Sequence, residues 1–597
     1  EYLASLKPEA DQVAEPPLEP RPLGETPPLS FAQARLWFLT RMDPDGFSYN
    51  LPWFTRWTGP LDADALERSL QRLVQRHEAL RTTFVEHQGQ PVQRIAPALD
   101  VPLRREQVPS PEALTLRAEA EVRRPFDLAE GPLLRATLVR VGDGDHALLI
   151  TLHHIICDGW SLGVMERELT ALYREETGGA AAELSALPLQ PADFARWQRL
   201  AWVGATVDER LGWWKARLQD APPALMLPTD LPRPAVQTFE GAHLAWKASP
   251  ALSRAVEALG QRHGVTPFML LLAGFHALLS RYSGQDDLVI GAPLAGRQRQ
   301  ELEGLVGFFI NTVPLRLTAN RDTSFHELVG LARDVTLESF AHQDLPFEQL
   351  VNVLQPERDA SRAPLFQVMF VLQNAGGAPA RALPDLAVEP LDVETGMSKF
   401  DLTLFAQETQ EGLGFLWEYN TALFEEATVA RMAAHYTRLL EAAVSDFERP
   451  LSRIPLLSED ERQQLLVSWN DTHADYPRAA SLPSLVEAHA ARAPLAIAVS
   501  FEGSHLTYAE LEARANQLAH HLRGLGVGAG TPVGLCTGRS LEMVVATLAI
   551  LKAGGAYVPL DPSYPAERLL FMARDTRLPV LLVQPGQEEK LAALEAR

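Results

Sequence analysis

A Pro-rich break at Ala221–Pro234, APPALMLPTDLPRP, constrains the fold of this chain more than any other stretch. Its five prolines lack the N–H that a helix interior or a central strand needs, so neither element can run through it. It separates two segments of similar size, residues 29–220 and 221–449. A chain of 597 residues is in any case too long for one hydrophobic core, and the usual ~100–200 residues per domain give three to five compact units. Two linkers are read on similar grounds. Residues 1–28 carry little apolar periodicity and are rich in Pro and Glu from Gln12 on. Residues 450–480 follow a break near Arg449–Pro455 and include a capping-box-like SEDE at Ser458–Glu461. Residues 481–597 alternate strand and helix patterns, as in an open parallel sheet.

Hydrophobic residues at 46% and charged residues at 22%, with eleven Trp and 24 Phe, suit folded domains with large cores and exclude a disordered chain. The formal charge of −22, with Arg interspersed among Asp and Glu, argues against a nucleic-acid backbone or an anionic membrane as partner, since both bind clustered Lys and Arg. Cys157 and Cys536 stand far apart and imply no disulfide framework, which fits a reducing cytoplasm. No apolar run approaches the ~20 residues of a membrane span, and Glu1–Glu15 has no charged-then-apolar signal pattern. A cytoplasmic protein is expected.

From Leu29 on, the apolar pattern is that of a mixed α/β fold. Ala65–His77 reads as an amphipathic helix, Ala147–Leu152 as a buried strand, Pro250–His263 as a helix and Leu288–Pro293 as a strand. The stretch richest in chemistry is Ala147–Ser161, ALLITLHHIICDGWS. A buried strand runs into His153 and His154. Asp158 follows, then Gly159, whose backbone can turn sharply or let a ligand approach, and Ser161, which can cap a helix over Leu162–Glu176. Adjacent strand residues face opposite sides, so the two histidines cannot easily share an ion and no metal site is expected. His153 reads as a satisfied core histidine. Two His, an Asp and a Gly crowded at one strand end are costly to bury without a task, which makes His154 and Asp158 functional candidates.

HHIICDGWS resembles the HHxxxDG signature of the condensation-domain family of nonribosomal peptide synthetases, which shares its fold with chloramphenicol acetyltransferase. Other motifs resemble that family's in order: SFAQARLW at Ser30–Trp37, RHEALRTTF at Arg76–Phe84, DFARW at Asp193–Trp197, VGFFINTVPLR at Val306–Arg316, HQDLPFE at His342–Glu348 and RDASRAPL at Arg358–Leu365. Cys157 stands where relatives usually carry Ser. SFAQARLWFL together with HHIICDGWS resembles the subtype that takes an L-configured donor. Several of these motifs also have structural readings. His77 and Arg81 suit local salt bridges, Pro346 suits the first turn of a helix, and Asn311 at a strand end can hold a neighbouring loop.

The resemblance implies two chloramphenicol acetyltransferase-like α/β subdomains in a V around a central cleft, residues 29–220 and 221–449. It implies amide bond formation between a donor acyl or peptidyl thioester and the amine of an acceptor aminoacyl thioester. Both would ride on phosphopantetheine arms of carrier proteins, one upstream and one downstream. The chain itself is expected to bind no cofactor. His154 is then the catalytic candidate, and Asp158 is expected to pair with Arg297 from the other half and to fix the loop that carries His154. His153 and Gly159 support the same site. Ser30, Arg35, Trp160, Ser161 and Asn311 are candidate channel or motif residues. Thioester aminolysis needs proximity, a neutral amine and removal of one proton, for which an imidazole with a pKa near ~6.5 is suited. A silent recruitment platform, or an acyltransferase to a soluble amine or alcohol, are the other readings of such a fold; the intact His154, Asp158 and Gly159 argue against the first.

LTYAEL at Leu506–Leu511 and LKAGGAYVPLDP at Leu551–Pro562 resemble the first two core motifs of amino-acid-activating adenylation domains. Residues 481–597 are therefore expected to form the N-terminal part of an α/β adenylation domain, with the rest of that domain as a partner and without adenylation activity of their own.

Overall fold

The computed structural model describes residues 16–586 except 202–204, 355–358, 374–382, 384 and 410–411, together with residue 588. The RDASRAPL motif thus begins, at Arg358, outside the described residues. The chain forms two compact units, residues 1–463 and 464–597.

The first unit contains two mixed sheets. One has five strands in the order Ala387–Pro390, Asn50–Thr58, Asp145–His153, Leu134–Gly142 and Leu103–Gln107, antiparallel except for the last pair. Its centre, Asp145–His153, shows why ALLITL reads as an unbroken apolar run. Leu148, Ile150 and Leu152 pack with Leu70 and Leu73 of helix Ala63–Arg76 and with Leu169 of helix Gly159–Glu176. Ala147 and Leu149 pack with Leu114, Ala118 and Val122 of helix Pro111–Val122. Both faces are covered, so the alternation of apolar with polar residues disappears.

The other sheet has six strands in the order Gly241–Lys247, Gly412–Asn420, Leu402–Thr409, Val368–Gln373, Asp287–Leu294 and Asn311–Thr318. Helices Pro250–His263, Pro267–Ser283, Phe325–Ala341 and Glu426–Ser445 contribute to its core. Helix Pro267–Ser283 is buried all round from Met269 to Leu279, which accounts for its apolar sequence. Among the described residues no single helix is long and apolar enough to cross a membrane.

The packed layers do not follow the Pro-rich break. Helix Ala205–Leu218 precedes the Pro-rich break, yet Leu211, Trp214 and Leu218 pack into the core of the second sheet beside Leu225. The prolines end a helix, not a core. Conversely, strand Ala387–Pro390 leaves the second half to add an edge to the first sheet, pairing Arg56 with Glu389 and Trp57 with Val388, and Met397 packs beside Ala147 and Leu149. Residues 450–463, read as linker, are a packed strap. Leu451 and Ile454 are buried, and Glu461 closes a capping box on Ser458 while accepting from His435 Nε2 at 3.1 Å. The described part of residues 1–28 is extended but tied down, with Arg21 bridging Glu78 at 2.8 Å and Asp193 at 2.9 Å.

In the second unit, Pro532–Cys536 lies between Ala556–Pro559 and Val580–Val583 in a parallel sheet, beside an antiparallel hairpin of Ile497–Phe501 and Ser504–Thr507. The LTYAEL motif is a helix start: Thr507 and Glu510 form a capping box for Tyr508–Gly524. In the LKAGGAYVPLDP motif Gly554 takes a φ of +87° where helix Leu541–Lys552 gives way to the next strand, a conformation that favours glycine.

Candidate active site

The strand Asp145–His153 ends on His153, and a single 3-10 turn, His154–Ile156, turns the chain before the helix Gly159–Glu176. His153 lies in register with Ala147, Leu149 and Thr151 and is buried, its Nδ1 accepting from the amide of Ile155 at 3.2 Å and its ring edge-on to Phe126. His154 leaves the strand. Its amide donates to the carbonyl of Tyr49 at 2.7 Å, its Nδ1 lies 2.8 Å from the carbonyl of Cys157, and its ring meets Phe308 edge to face at 5.0 Å. A carbonyl can only accept, so Nδ1 carries the proton and Nε2 carries the lone pair. Burial, helped by the nearby Lys399 ammonium, lowers the imidazole to about 4, and His153 falls to about 3 mainly through burial. Both rings are therefore neutral at pH 7. Cys157 is fully buried and burial pushes its thiol up, which leaves it no part as a nucleophile.

Asp158 is fully buried and organises the loop. It, and not Ser161, caps the helix Gly159–Glu176: Oδ1 accepts from the Ser161 amide at 2.8 Å and lies 2.7 Å from the Ser161 hydroxyl. The same carboxylate reaches the second half of the unit. Arg297 Nη2 donates to Oδ1 at 3.0 Å and the amide of Phe309 donates to Oδ2 at 3.1 Å. Arg297 is spread further over the carbonyls of Leu302 and Leu305, and Ser161 Oγ bonds the amide of Gly307 at 3.1 Å. The expected pairing of Asp158 with Arg297 is thus one member of a larger polar cluster that fastens VGFF to the histidine loop. Among the described residues no cluster of three or more His, Cys, Asp or Glu could hold a metal ion.

The family of the condensation domain matches residues 24–466, and that of the AMP-binding enzymes matches residues 486–597. The chain belongs to the condensation-domain family. Two relatives are components of the linear gramicidin synthase of Brevibacillus parabrevis. One is 46% identical over the whole of this chain and the other 50% identical over 93% of it. The chain spans only 12% and 11% of their respective lengths. Among solved structures, a four-domain nonribosomal peptide synthetase bound to AMP and glycine matches 98% of this chain and 45% of its own at 26% identity, with a TM-score of 0.81.

In this condensation domain the other anticipated residues take distinct places. Ser30 caps helix Phe31–Met42 with Gln33, whose side chain donates to the carbonyl of Ile155 at 3.4 Å and so touches the histidine loop. Arg35 lies 3.7 Å from Glu348 and over the ring of Phe347, joining the SFAQARLW and HQDLPFE motifs. Asn311 donates to the carbonyls of Gln343 and Leu345 and accepts from the amide of Phe347, holding the loop before helix Phe347–Leu354. Pro346 lies just before that helix. Trp160 is half-exposed and donates to the carbonyl of Glu303 at 2.9 Å. Gly159 needs no special backbone: it is helical, and a Cβ there would meet no atom within 4 Å, so its value is the open space before it. His77 pairs with Glu168, 91 residues away, rather than locally.

Sequence reasoning missed three residues beside His154. Phe308 sits within a motif it recognised, but nothing marked it above Phe309. Tyr49 and Lys399 lie outside every quoted motif and reach the site only through the fold.

The depressed histidines link to stability. A histidine whose folded pKa is lowered costs nothing above its unfolded value of ~6.5, and destabilises the fold as pH falls below it, because only the unfolded chain then takes up the proton. His153, His154 and the buried His276, also lowered to about 4 by burial, act together. The melting temperature is expected to be flat from pH 8 to about 6.5 and to fall from there downward, before the carboxylates titrate. A melting curve still flat at pH 5 contradicts the neutral assignment.

Proposed function

We propose that this chain forms an amide bond between a donor acyl or peptidyl thioester and the amine of an acceptor aminoacyl thioester, both carried on phosphopantetheine arms of partner carrier domains, with His154 serving the reacting amine. The observation that carries this reading is the state of His154: a neutral imidazole whose Nδ1 proton is committed to Cys157, leaving the Nε2 lone pair for a ligand. In the reaction the amine nitrogen bonds to the thioester carbon, the carbon–sulfur bond breaks, one proton leaves nitrogen and one joins the departing thiolate. Nε2 can accept that proton and return it to sulfur, so the imidazole ends unchanged. Asp158, Arg297 and Ser161 are positioning groups that hold the loop from behind. The open space before Gly159 and the half-exposed Trp160 suit the passage of a slender arm.

The test is single-turnover condensation between a donor-loaded and an acceptor-loaded carrier, with product followed by intact mass. Amide formation is expected with the carrier-bound acceptor, and faster with an L- than a D-configured donor. Equal or greater transfer to free amines or alcohols would point instead to a soluble-acceptor acyltransferase, and no transfer of any kind to a recruitment platform.

A further inference from the structure

The strand of the second half that begins at Leu402 is preceded by a short extended segment, GMSKF at Gly396–Phe400, which is fixed on both sides. Gly241 donates to the carbonyl of Gly396, the fully buried Ser398 donates its amide to Phe239 and its hydroxyl to Phe400, and Gln237 donates to the carbonyl of Lys399 at 3.0 Å. This anchoring directs the Lys399 side chain to the first half, where its ammonium lies 5.0 Å over the ring of Tyr49. Tyr49 is the residue whose carbonyl receives the His154 amide. The charge of Lys399 acts on both His153 and His154.

No carboxylate among the described residues lies within salt-bridge distance of Lys399. Glu418 acts on it from the adjoining strand, but that carboxylate faces His243 Nε2 at 3.4 Å. Arg35, the other cation that acts on it, adds to the positive charge. A partly buried ammonium over an aromatic face, with no carboxylate among the described residues close enough to pair with it, is costly to maintain for stability alone. A fixed positive charge on the ring of the residue that receives the His154 amide has a definite use where that histidine serves an amine: a second cation is disfavoured, while negative charge growing on a thioester oxygen is favoured.

We propose that Lys399 is a further positioning residue of the condensation reaction, one whose positive charge, felt also at His154, favours the unprotonated acceptor amine and the oxyanion of the tetrahedral intermediate. This rests on the function proposed above. The effect acts through His154, Tyr49 and the bound amine, with Arg35, Glu418 and His153 as the other titratable or charged neighbours.

The experiment compares wild type with Lys399→Met and Lys399→Arg in the whole chain, with two readouts. The first is the rate of carbethoxylation of His154 by diethyl pyrocarbonate against pH, resolved from His153 by peptide fragmentation. The reagent reads neutral imidazole whether or not any substrate is turned over. In Lys399→Met the acid limb of that profile is expected to move up by about one pH unit, and Lys399→Arg should keep the wild-type limb. The second is single-turnover condensation, expected to slow at least ~10-fold at pH 7 in Lys399→Met, with the deficit narrowing at higher pH, and to survive in Lys399→Arg. An unmoved acid limb in Lys399→Met, or a rate loss equal at every pH together with a lower melting temperature, makes Lys399 a structural tether and overturns the proposal. A moved limb in a chain that condenses nothing keeps the electrostatic role and instead rejects the proposed reaction.

Discussion

Replacing His154 by Ala is expected to slow amide formation by ~10²–10⁴-fold while leaving the melting temperature near that of the wild type. The residue keeps some exposure, and among the described residues its ring hydrogen bond goes to the Cys157 carbonyl, at one end of a loop that Asp158 and Arg297 also hold. His153→Ala should do the opposite. Its Nδ1 satisfies the buried amide of Ile155, so its loss should cost about 1–3 kcal/mol of stability, with activity falling through the fold. The pH profile separates a base from a spacer. Because burial and Lys399 lower His154 to about 4, the wild-type rate should show no step at the ordinary imidazole value near ~6.5, and its acid limb should lie towards pH 4. An expectation of titration near ~6.5, natural from sequence, is thus moved to acid by the environment of the ring. Near-wild-type turnover in His154→Ala would leave the site working by positioning alone.

Asp158→Ala is expected to lower stability by about 3–5 kcal/mol, the range for breaking a buried ion pair from one side. The variant removes a helix cap, leaves Arg297 without its carboxylate, and orphans the amide of Phe309, so the two halves lose a fastening as well as a charge pair. The consequence for a double variant decides the cause. Arg297→Met on top of Asp158→Ala should recover part of the loss, since the stranded guanidinium is then gone; the cap and the Phe309 amide would remain unsatisfied. Thermal melts of the three variants measure the coupling directly. An Asp158→Ala chain that melts like wild type yet cannot condense would make Asp158 a participant in the chemistry.

Much of this molecule is legible in its residues, and the legible part is local. Runs such as Ala147–Leu152 and Pro250–His263 declare strand and helix because burial on both faces or on one stripe leaves its period in the residues themselves. Ser458 with Glu461 declares a helix start because a capping box is completed within four residues. HHIICDG points to a candidate site because two histidines, an aspartate and a glycine crowd into one strand end and one turn.

The sequence by itself singled out the loop proposed to carry the chemistry, and its resemblance to condensation domains implied a cation beside Asp158. Only the tertiary structure decided what surrounds that loop. The Pro-rich break was read as a boundary, yet Trp214 on its near side belongs to the far core, because the packing of a helix depends on which sheet it meets and not on where a proline stops it. Strand Ala387–Pro390 crosses to the first sheet by backbone hydrogen bonds that any residues could make, so no side chain announces it. Phe308 and Tyr49 touch His154, and Lys399 reaches Tyr49, across separations of about 100 to 350 residues in the chain, and proximity at that range is settled by how strands and loops distant in sequence pack together, which composition does not encode.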